Sequence, residues 1–563
     1  MTTVGVLGDG AAVAAIRAAV ADTDAEPVAI APSELSGVDV AAAAGRIGSD
    51  SLGRATVTAR NSRTPLVTVE LGGIGATPVA GVDAAVSGYT PGTACHECLR
   101  SRVAAADPET GDPDVDTSTA RLAGAIAGHE LAALVAGGES TLLGGVVELP
   151  HARRRVLPVP YCECRADDGD DALRRHEVDR SLGDSISLAE TAFDARVGPI
   201  SSVGEAESFP VPYYLATLAD TPFSDADAPD HAAGVGADWD PAFMKALGEA
   251  LERYSAAIYR ETDFVDPERP VPPERFVSPD DADGDVTRWC EAEHLATGAT
   301  VQLPAEMAVF PPPERTIRPA ITTGLGLGNG GAEAIRSGLY EVIERDATML
   351  SWYSTDEPLG LAVDDDGYRT LERRAGSEGL TATALLCTQD IDVPVVAACV
   401  HRDGEWPRFA AGSSADFDPH AAARGALEEA IQNWLELRRM GEGRADSEGG
   451  AIGTHAAFPE AAREFVTPGT TVPAAEVGPA EPPTGASALD RLVDRVTDAG
   501  LDPYAARLTP RDVESMGFEA VRAVVPAAQP LFTGDPYFGE RARTVPESLG
   551  FEPAPDRTYH PFP

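Results

Sequence analysis

A glycine-rich stretch that runs directly into a carboxylate-bearing helix is the feature that most constrains this chain. Residues 324–346 read GLGLGNGGAEAIRSGLYEVIERD, and at 3.6 residues per turn positions 333, 337, 341 and 344 fall within about 80° of one another. The opposite side is apolar, with Ile335, Leu339, Val342 and Ile343. One side is therefore predicted to pack, and the other to present the groups of a site for metal-chelated phosphates: Glu333, Glu341, Glu344 and the neighbouring Arg345.

Two further predicted helices carry polar side chains with helical spacing. Residues 243–260 (FMKALGEALERYSAAIYR) place Glu249 and Glu252 at i,i+3, and residues 420–437 (HAAARGALEEAIQNWLEL) place Glu429 and Gln432 likewise. Any amphipathic surface helix of an acidic protein shows this pattern, so a single helix leaves a solvated face as the alternative. Three such helices can converge, and the repetition favours a binding site.

The charge balance excludes several classes of partner. The 563 residues carry a formal net charge of −46, which repels nucleic-acid phosphates and anionic membranes. No apolar run approaches the ~20 residues needed to cross a bilayer. Lys245 is the only lysine among 44 Lys and Arg residues, and this depletion resembles the proteins of salt-accumulating halophiles. It is close enough to Glu249 for an i,i+4 pair, and it is either a chance survivor or a residue that positions the carboxylates or the nucleotide. The sequence predicts a soluble, cytoplasmic protein of two or three domains.

Residues 1–175 are predicted to form an α/β unit. Thr3–Leu7 is a short apolar strand, residues 8–10 form a glycine turn, and residues 11–20 form a helix. Val13 stands where a dinucleotide-binding fingerprint has its third glycine, so nucleotide binding at this turn is not expected. Further strands are predicted at residues 65–69, 81–85 and 142–149, and a helix at residues 119–136.

Four of the seven cysteines form two close pairs, Cys95-x-x-Cys98 and Cys162-x-Cys164. Four thiolates in a reducing cytosol suit a tetrahedral zinc ion better than disulfides, with free or redox-active thiols as the alternative. Because thiolates take all four positions, such a site is predicted to be structural rather than catalytic.

A charged stretch separates this unit from the rest of the chain. Residues 167–184, which include DDGDDALRRHEVDR, are short of apolar residues and are predicted to be a linker. The second unit, residues 181–563, alternates strands and amphipathic helices irregularly, as expected of α+β structure. Residues 441–485, rich in Gly, Ala, Pro and Thr, are predicted to be a surface insertion. P-loop and kinase glycine-loop motifs are absent from the sequence, so any use of ATP would depend on the carboxylates.

The helical motifs, taken in order, resemble those of the YcaO superfamily of ATP-dependent enzymes that modify peptide backbones. The motifs are G-E-A-L-E-R-Y, then G-N-x-x-x-E-A-x-x-x-G-L-x-E-x-I-E-R-D-A, then A-x-x-x-A-L-x-E-A-x-Q. The resemblance covers about residues 181–563. Azoline-forming members end in P-x-P-x-P; Pro561 and Pro563 match this ending, whereas Tyr559 departs from it.

This resemblance implies a set of site residues. Glutamates alone would repel a triphosphate, so magnesium ions are implied between them and the phosphates. The implied magnesium and ATP ligands are Glu249, Glu252, Glu333, Glu341 and Glu344. Asn329 and Arg345 match polar and phosphate contacts of the family, and Glu429 and Gln432 are further cofactor-binding candidates whose alternative is a solvated helix face. The implied catalytic residues are Glu344, Arg345, Pro561 and Pro563.

The sequence around the cysteine pairs, P-G-T-A-C-H-E-C-L-R-S-R and V-P-Y-C-E-C, resembles the degenerate adenylation-enzyme-like (ThiF-like) domain that accompanies azole-forming cyclodehydratases. The resemblance implies a domain that no longer adenylates and that helps to present the substrate peptide. The winged-helix clamp that usually precedes this domain is not expected, because the sequence begins at the β-turn-α unit.

The implied reaction is activation of a peptide amide. A Cys, Ser or Thr side chain attacks the preceding carbonyl, the oxyanion takes the γ-phosphoryl group of ATP, and loss of phosphate leaves an azoline. The implied cofactors are ATP, Mg²⁺ and structural Zn²⁺. The implied partners are a ribosomal precursor peptide, a separate leader-binding protein or oxidase, and a second copy of the chain in a homodimer. The alternatives are thioamide formation from external sulfide and a non-catalytic scaffold that binds peptide or nucleotide for another modifying enzyme.

Overall fold

The computed structural model describes residues 2–562 except residues 113, 139, 151, 165–171, 281, 283 and 446. The N-terminal part contains the following elements: β1 (Thr3–Leu7), α1 (Gly10–Ala21), β2 (Glu26–Ala29), β3 (Val40–Arg46), α2 (Asp50–Ser62), β4 (Leu66–Leu71), β5 (Ala84–Tyr89), α3 (His96–Ala105), α4 (Thr117–Val135), β6 (Gly145–Leu149) and β7 (Ala152–Arg155). Its seven strands form one sheet in the order β2-β1-β3-β4-β5-β6-β7.

The sheet is parallel from β2 to β4 and antiparallel from β4 to β7. The parallel strands β1 and β3 are buried along most of their length, and helices cover both faces of the sheet. Val4 and Val6 of β1 lie in one apolar cluster with residues of α1 and α4. Leu7 packs on the other face in a cluster with residues of α2. The predicted α/β class is confirmed, but the strand predicted at residues 81–85 begins only at Ala84, because Gly81 occupies a turn with φ of 75°.

The second part of the chain contains α5 (Leu182–Ala189), β8 (Ile200–Glu207), β9 (Tyr213–Leu218), β10 (His231–Val235), α6 (Trp239–Ala257), β11 (Trp289–His294), β12 (Ala299–Pro304), α7 (Ala305–Ala308), β13 (Leu325–Gly328), α8 (Gly331–Trp352), β14 (Leu359–Ala362), α9 (Asp366–Ser377), β15 (Thr381–Leu386), β16 (Val395–His401), β17 (Phe409–Ala415), α10 (Pro419–Met440), α11 (Glu442–Ala445), α12 (Gly450–His455), α13 (Glu460–Phe465), β18 (Thr471–Pro473), α14 (Gly485–Asp498), β19 (Tyr504–Arg507), α15 (Arg511–Met516), β20 (Glu519–Val524) and α16 (Arg541–Leu549).

Three sheets, mostly antiparallel, organise this second part. Their strand orders are β10-β9-β8, β12-β11-β19-β20-β13 and β17-β16-β15-β14-β18. Helix α8 packs against strands of both five-stranded sheets, and its apolar residues lie in the same cluster as residues of β16, β17 and β20. The α+β architecture expected of this part is confirmed, and α8 occupies its centre.

The segment 441–485 is not the surface insertion that its composition predicts. His455 is 1% exposed, and the ring of Phe458 stacks on that of Phe409 at a centroid distance of 5.6 Å. Phe465 packs edge-on against Trp352 at 5.1 Å. A few well-spaced aromatic residues thus anchor the segment in the core, and the average composition conceals them.

A buried polar joint connects the N-terminal part to the second part. The side chains of Arg102 on α3 and Asp512 on α15 form an ion pair and are 1% and 0% exposed. Tyr254 on α6 donates its hydroxyl hydrogen to Asp512 at 2.5 Å and accepts a hydrogen bond from Arg102 at 3.3 Å. Apolar residues of the same three elements surround the joint, so α3 and α6 are held against each other. The predicted linker, residues 167–184, lies partly outside the described residues.

Among the described helices, none combines the length and the apolarity that spanning a membrane requires.

Candidate functional site

Helix α8 divides into an apolar side and a carboxylate side, as its periodicity predicts. Ile335 and Leu339 are fully buried, and Ile343 is 1% exposed. On the other side, Glu341 accepts a hydrogen bond from the backbone N–H of Gly324 at 3.0 Å. Glu333, about 12 Å further toward the helix start, accepts from the backbone and side-chain nitrogens of Asn329 at 2.8 and 3.1 Å. Backbone and amide donors therefore fix both carboxylates.

The glycines before α8 serve close packing rather than an open phosphate cradle. A Cβ atom on Gly331 would lie 1.7 Å from the carbonyl oxygen of Arg174, and the N–H of Ala332 donates to the carbonyl oxygen of His176 at 3.1 Å. The start of α8 is thus covered by the chain's own residues 174–178. The glycine-rich turn consequently brings this segment against the helix start, where Glu333 lies in the first turn of α8, whereas Glu341 and Glu344 lie about two and three turns further along.

Helix α6 contributes Glu249 and Glu252. Glu249 accepts from the backbone N–H of Ala233 on β10 at 3.0 Å and forms an i,i+4 ion pair with Arg253. Burial raises the pKa of Glu252 to about 8, and the charges of Glu341 and Glu249 contribute to the rise. The two α6 carboxylates therefore face Glu341 of α8.

Helix α10 contributes Glu429 together with strand β17. Glu429 accepts from the backbone N–H of Ser413 at 2.5 Å. β17 lies close to α10 here, because Gly412 has no Cβ, and one added there would lie 2.4 Å from the nitrogen of Ala430. Gln432 donates to Glu436 at 3.1 Å, one turn further along α10. Glu429 thus turns toward α8, whereas Gln432 bonds within its own helix.

Glu341 lies at the centre of the carboxylates from these helices. After burial, its negative charge is among the causes that raise the pKa values of Glu249, Glu252, Glu344 and Glu429. The structure therefore brings together residues that are up to 180 positions apart in sequence. Such mutual repulsion favours binding of protons or of a multivalent cation between the carboxylates.

Arg345 and Glu344 form the buried end of this cluster. Arg345 Nη1 lies 3.6 Å from Glu344 Oε1, and Nη2 lies 3.6 Å from Glu429 Oε1. Glu344 Oε1 also accepts from the hydroxyl of Ser413 at 2.6 Å, and burial raises the pKa of Glu344 to about 8. Arg345 Nη1 is buried without a hydrogen-bond partner, so this guanidinium retains donor capacity for an anion.

Asn329 and Glu333 lie at the other end of the site. Asn329 Oδ1 accepts from Arg180 Nη1 at 2.8 Å and from Ser185 Oγ at 2.9 Å. Glu333 and Glu344 are separated by about 16 Å along α8. The predicted residues therefore form an elongated group along α8 rather than a compact cluster, and this group is called the carboxylate cleft below.

The C-terminal segment reaches this region from the opposite side. His560 donates from Nε2 to the carbonyl oxygen of Phe532 at 2.8 Å. Burial lowers the pKa of His560 to about 4, and the nearby positive charge of Arg345 contributes to the shift. Pro561 is buried and lines a cavity of about 340 Å³. Pro563 lies outside the described residues.

Arg522, near the carboxylates, was not predicted from the sequence. Arg522 on β20 is 3% exposed and donates to the carbonyl oxygens of Thr322 and Ile321 at 2.8 and 2.7 Å. Burial lowers the pKa of Arg522 to about 10, against the opposing charges of Glu341 and Glu252. A lone arginine within the apolar strand sequence EAVRAV is the signal that could have indicated it.

Lys245 does not pair with Glu249. Its ammonium group contacts Glu428 of α10, while Arg253 takes the position beside Glu249. The lysine therefore links α6 to α10, and the i,i+4 interpretation of the sequence was wrong.

The four paired cysteines converge at the start of α3. Their Sγ atoms all lie within 4.8 Å of one another, with separations of 3.5 Å for Cys95–Cys162, 3.6 Å for Cys98–Cys164 and 3.9 Å for Cys95–Cys98. Sulfurs bound tetrahedrally to one zinc ion lie about 3.8 Å apart, whereas a disulfide requires ~2.05 Å. The donor set and spacing thus fit a thiolate-bound ion.

Among the described residues, no three carboxylates of the cleft bring their oxygens within the 4.8 Å that groups the cysteines. Magnesium commonly takes only one or two protein carboxylates and completes its octahedron with water and phosphate oxygens. The carboxylate spacing therefore suits ions shared with a ligand rather than an all-protein cage.

Similarity to known proteins identifies the family of this chain. The family model described as YcaO cyclodehydratase, ATP- and Mg²⁺-binding, matches residues 233–529, more than half of the chain. The chain therefore belongs to the YcaO cyclodehydratase family. The matched region includes α6, α8 and α10 with all their candidate glutamates.

Individual relatives extend the similarity to both parts of the chain. An uncharacterized protein of Methanothermobacter thermautotrophicus is 29% identical over 395 residues, which cover 66% of this chain and 98% of that protein. A solved heterocyclase in complex with substrate and cofactor aligns with a TM-score of 0.73 at 18% identity, covering 98% of this chain and 83% of that one. The heterocyclase TruD aligns with a TM-score of 0.64 at 17% identity, covering 98% and 82%. These two likenesses establish a shared fold over nearly the whole chain.

Proposed function

We propose that the protein activates backbone amides of a ribosomally synthesised peptide by ATP-dependent phosphorylation and closes thiazoline or oxazoline rings. The observation that carries this proposal is the convergence of carboxylates from α6, α8 and α10 beside the buried Arg345. Carboxylates that repel one another in this way suit bound divalent cations, and the adjacent arginine suits the phosphates that these cations accompany.

Most of the candidate residues on α6 and α8 have a role in this scheme. The proposed Mg²⁺ ligands are Glu249, Glu252, Glu333, Glu341 and Glu344. Bound magnesium would bridge carboxylates to phosphate oxygens and reduce the charge of the triphosphate. Arg345, whose Nη1 has no hydrogen-bond partner, would contact the transferring phosphoryl group. Ser413 orients Glu344, and Asn329, held by Arg180 and Ser185, marks the far end of the nucleotide site.

The proposed reaction balances without an added oxidant or reductant. The Cys, Ser or Thr side chain of the peptide loses its proton and adds to the preceding carbonyl carbon. The carbonyl oxygen takes the γ-phosphoryl group of ATP and later leaves as phosphate, while the amide nitrogen gives up its proton to form the C=N bond. The peptide thereby loses the elements of one water molecule, and ATP becomes ADP.

The N-terminal unit, proposed as residues 1–175, would act as a scaffold for the YcaO domain, proposed as residues 181–563. The four cysteines would hold a structural zinc ion, since their spacing leaves no position open for a substrate. The joint of Arg102, Tyr254 and Asp512 supports this role, because it fixes α3, which begins beside Cys95, against α6, which carries Glu249 and Glu252. A precursor peptide, a separate leader-binding protein or oxidase, and a homodimer complete the proposed partners.

Mass spectrometry of a candidate Cys-rich peptide tests the function. The peptide is incubated with the protein, ATP, Mg²⁺ and high salt, and loss of the mass of one water per modified residue is expected. A mass gain that requires added sulfide would instead assign thioamide formation. ATP binding without any change in peptide mass would contradict an enzymatic role and favour the scaffold alternative.

The raised pKa values of the cleft predict a pH-dependent stability. Burial raises the pKa of Glu252 to about 8 and also raises the pKa of Glu344, so the metal-free folded state holds more protons than the unfolded state between about pH 5 and 8. The stabilisation is therefore complete below this window and is lost as pH rises through it. Calorimetry without Mg²⁺ is expected to show a falling Tm over this range, and Mg²⁺ with ATP should reduce the fall because cations replace the protons.

The double variant Glu252→Gln, Glu344→Gln provides the control for this prediction. It removes both titrating groups, so its Tm should fall less steeply with pH than that of the unaltered protein. Equal slopes for the two proteins would show that these carboxyl groups do not titrate as described.

A further inference from the structure

A cavity of about 340 Å³ adjoins the carboxylate cleft next to the C-terminal segment. It lies between β17, the end of α10, the start of α12 and residues 559–562, and its walls include Phe409, Leu437, Ile452 and Phe532. We propose that this cavity receives the side chain of the substrate residue that precedes the cyclising Cys, Ser or Thr, and that it selects large apolar side chains at that position. The inference rests on the proposed function and adds its substrate preference.

Strand β17 runs from this cavity to the carboxylates. Ala411 lines the cavity, and Ser413, two residues later on the same face of the strand, donates its hydroxyl hydrogen to Glu344 at 2.6 Å. At about 3.3 Å per residue, Ala411 lies about 7 Å from Ser413. The cavity lining and the residue that hydrogen-bonds Glu344 therefore lie about 7 Å apart on one strand.

Two other wall residues are electrostatically linked to the cleft. Glu436 lines the cavity and accepts from Gln432, and its charge contributes to the raised pKa of Glu249. His560 also lines the cavity, and the charge of Arg345 contributes to its lowered pKa. Two separate elements thus place the cavity beside the carboxylates and the arginine.

The reaction itself identifies the substrate residue that would enter. The attacked carbonyl belongs to the residue before the cyclising one, and its oxygen takes the phosphoryl group. The side chain of that residue is attached to the α-carbon, which is bonded to the reacting carbonyl carbon. When the carbonyl oxygen lies beside Arg345, this side chain therefore lies near Arg345 as well. The nucleotide would extend in the other direction, toward Asn329. The Glu333 end of the site, next to Asn329, lies about 16 Å from Glu344 along α8, which leaves room for the rest of the nucleotide.

The size and lining of the cavity favour a large apolar side chain. An apolar cavity of ~150 Å³ holds benzene, so about 340 Å³ accommodates an aromatic side chain with neighbouring backbone. None of the described residues that line it is lysine or arginine, and Glu436 is acidic. An acidic substrate side chain would therefore lose its hydration without gaining a cationic partner.

Gly449 is an exposed residue at the edge of the cavity where a side chain can be introduced without backbone strain. It lines the cavity, its φ and ψ of −92° and −166° suit any residue, and an added Cβ would meet no atom within 4 Å. Gly443 on α11 is the matched control, since it is exposed, has equal space for a Cβ and lies outside the cavity lining. The variants Gly449→Phe and Gly443→Phe therefore differ in their effect on the cavity.

The test uses the probes N-acetyl-Phe-Cys-amide, N-acetyl-Ala-Cys-amide and N-acetyl-Asp-Cys-amide. Ring closure by the unaltered protein is expected to show a kcat/KM about tenfold to hundredfold higher for the Phe probe than for the Ala probe, and lowest for the Asp probe. Gly449→Phe should reduce the Phe preference to within about twofold, while Gly443→Phe should retain it. Saturation-transfer NMR of the Phe ring should show binding that Gly449→Phe alone abolishes.

The NMR measurement does not depend on turnover, so it separates this inference from the proposed function. If no probe cyclises but Gly449→Phe alone abolishes Phe binding, the function fails and the binding cavity stands. A Phe preference that persists in Gly449→Phe, with undiminished Phe binding, would overturn the inference. If Gly449→Phe instead raised the KM for ATP equally with every probe, the cavity would be assigned to the nucleotide base. That result would also overturn the inference.

Discussion

Replacing Glu344 with glutamine is expected to lower ATP turnover by about 100- to 1,000-fold. Glutamine keeps the size of the side chain and can still accept the hydrogen bond that Ser413 donates. It removes the negative charge that faces Arg345 at 3.6 Å, so it would leave a proposed metal position without a charged ligand. Steady-state ADP release with saturating Mg²⁺ and ATP measures the effect.

Stability measurements keep this result interpretable. Burial raises the pKa of Glu344 to about 8, so the neutral amide should leave the Tm unchanged or higher at pH 8. Glu372→Gln on the exposed face of α9 supplies the matched control and should leave turnover unchanged. Unaltered ATP turnover in the Glu344→Gln protein would contradict the assignment of this cleft as the active site.

Replacing Cys98 with serine is expected to remove bound zinc and to lower the Tm by about 10 °C or more. Cys98 is fully buried, lies 3.6 Å from Cys164 and 3.9 Å from Cys95, and accepts a hydrogen bond from Val159 N–H. A structural zinc ion contributes on the order of 10 kcal/mol, which is comparable with the stability of a whole domain. Elemental analysis of protein purified under reducing conditions, together with scanning calorimetry, measures both effects.

Cys290→Ser is the matched control for this experiment. Cys290 is partly buried on β11 and lies outside the four-cysteine group, so its replacement should preserve the metal content. A Cys98→Ser protein with unchanged metal content and Tm would identify the paired cysteines as free thiols. Loss of metal in both variants would point to nonspecific binding.

The features that local sequence predicts well are those that depend on spacing within one element. The apolar and acidic sides of α8 follow from its 3.6-residue period, and Cys95 and Cys98 become neighbours because they are three residues apart on the first turn of α3. The short β1 strand and the α1 helix also agree with their predicted positions to within one residue. Periodicity and close spacing carry this information without any knowledge of the tertiary fold.

The features that local sequence does not predict arise from contacts between distant elements. Ser413 reaches Glu344 because β17 crosses α10 at Gly412, and no local pattern around Ser413 marks it. Lys245 pairs with Glu428, which is 183 positions away, rather than with the glutamate one turn along its own helix. Segment 441–485 enters the core through isolated residues such as Phe465, which a composition average does not detect. Which residues pair across different helices depends on how the helices pack, and the tertiary fold determines that packing.

The buried joint between Arg102 and Asp512 has a consequence for how such a chain could be divided. Were the polypeptide severed between its two parts and each half produced alone, either half would expose an apolar surface containing a guanidinium or a carboxylate without its counter-ion. Such fragments would be poorly soluble apart and would regain order on reassociation. Fusion in one polypeptide guarantees equal amounts of both halves, so neither accumulates without the other.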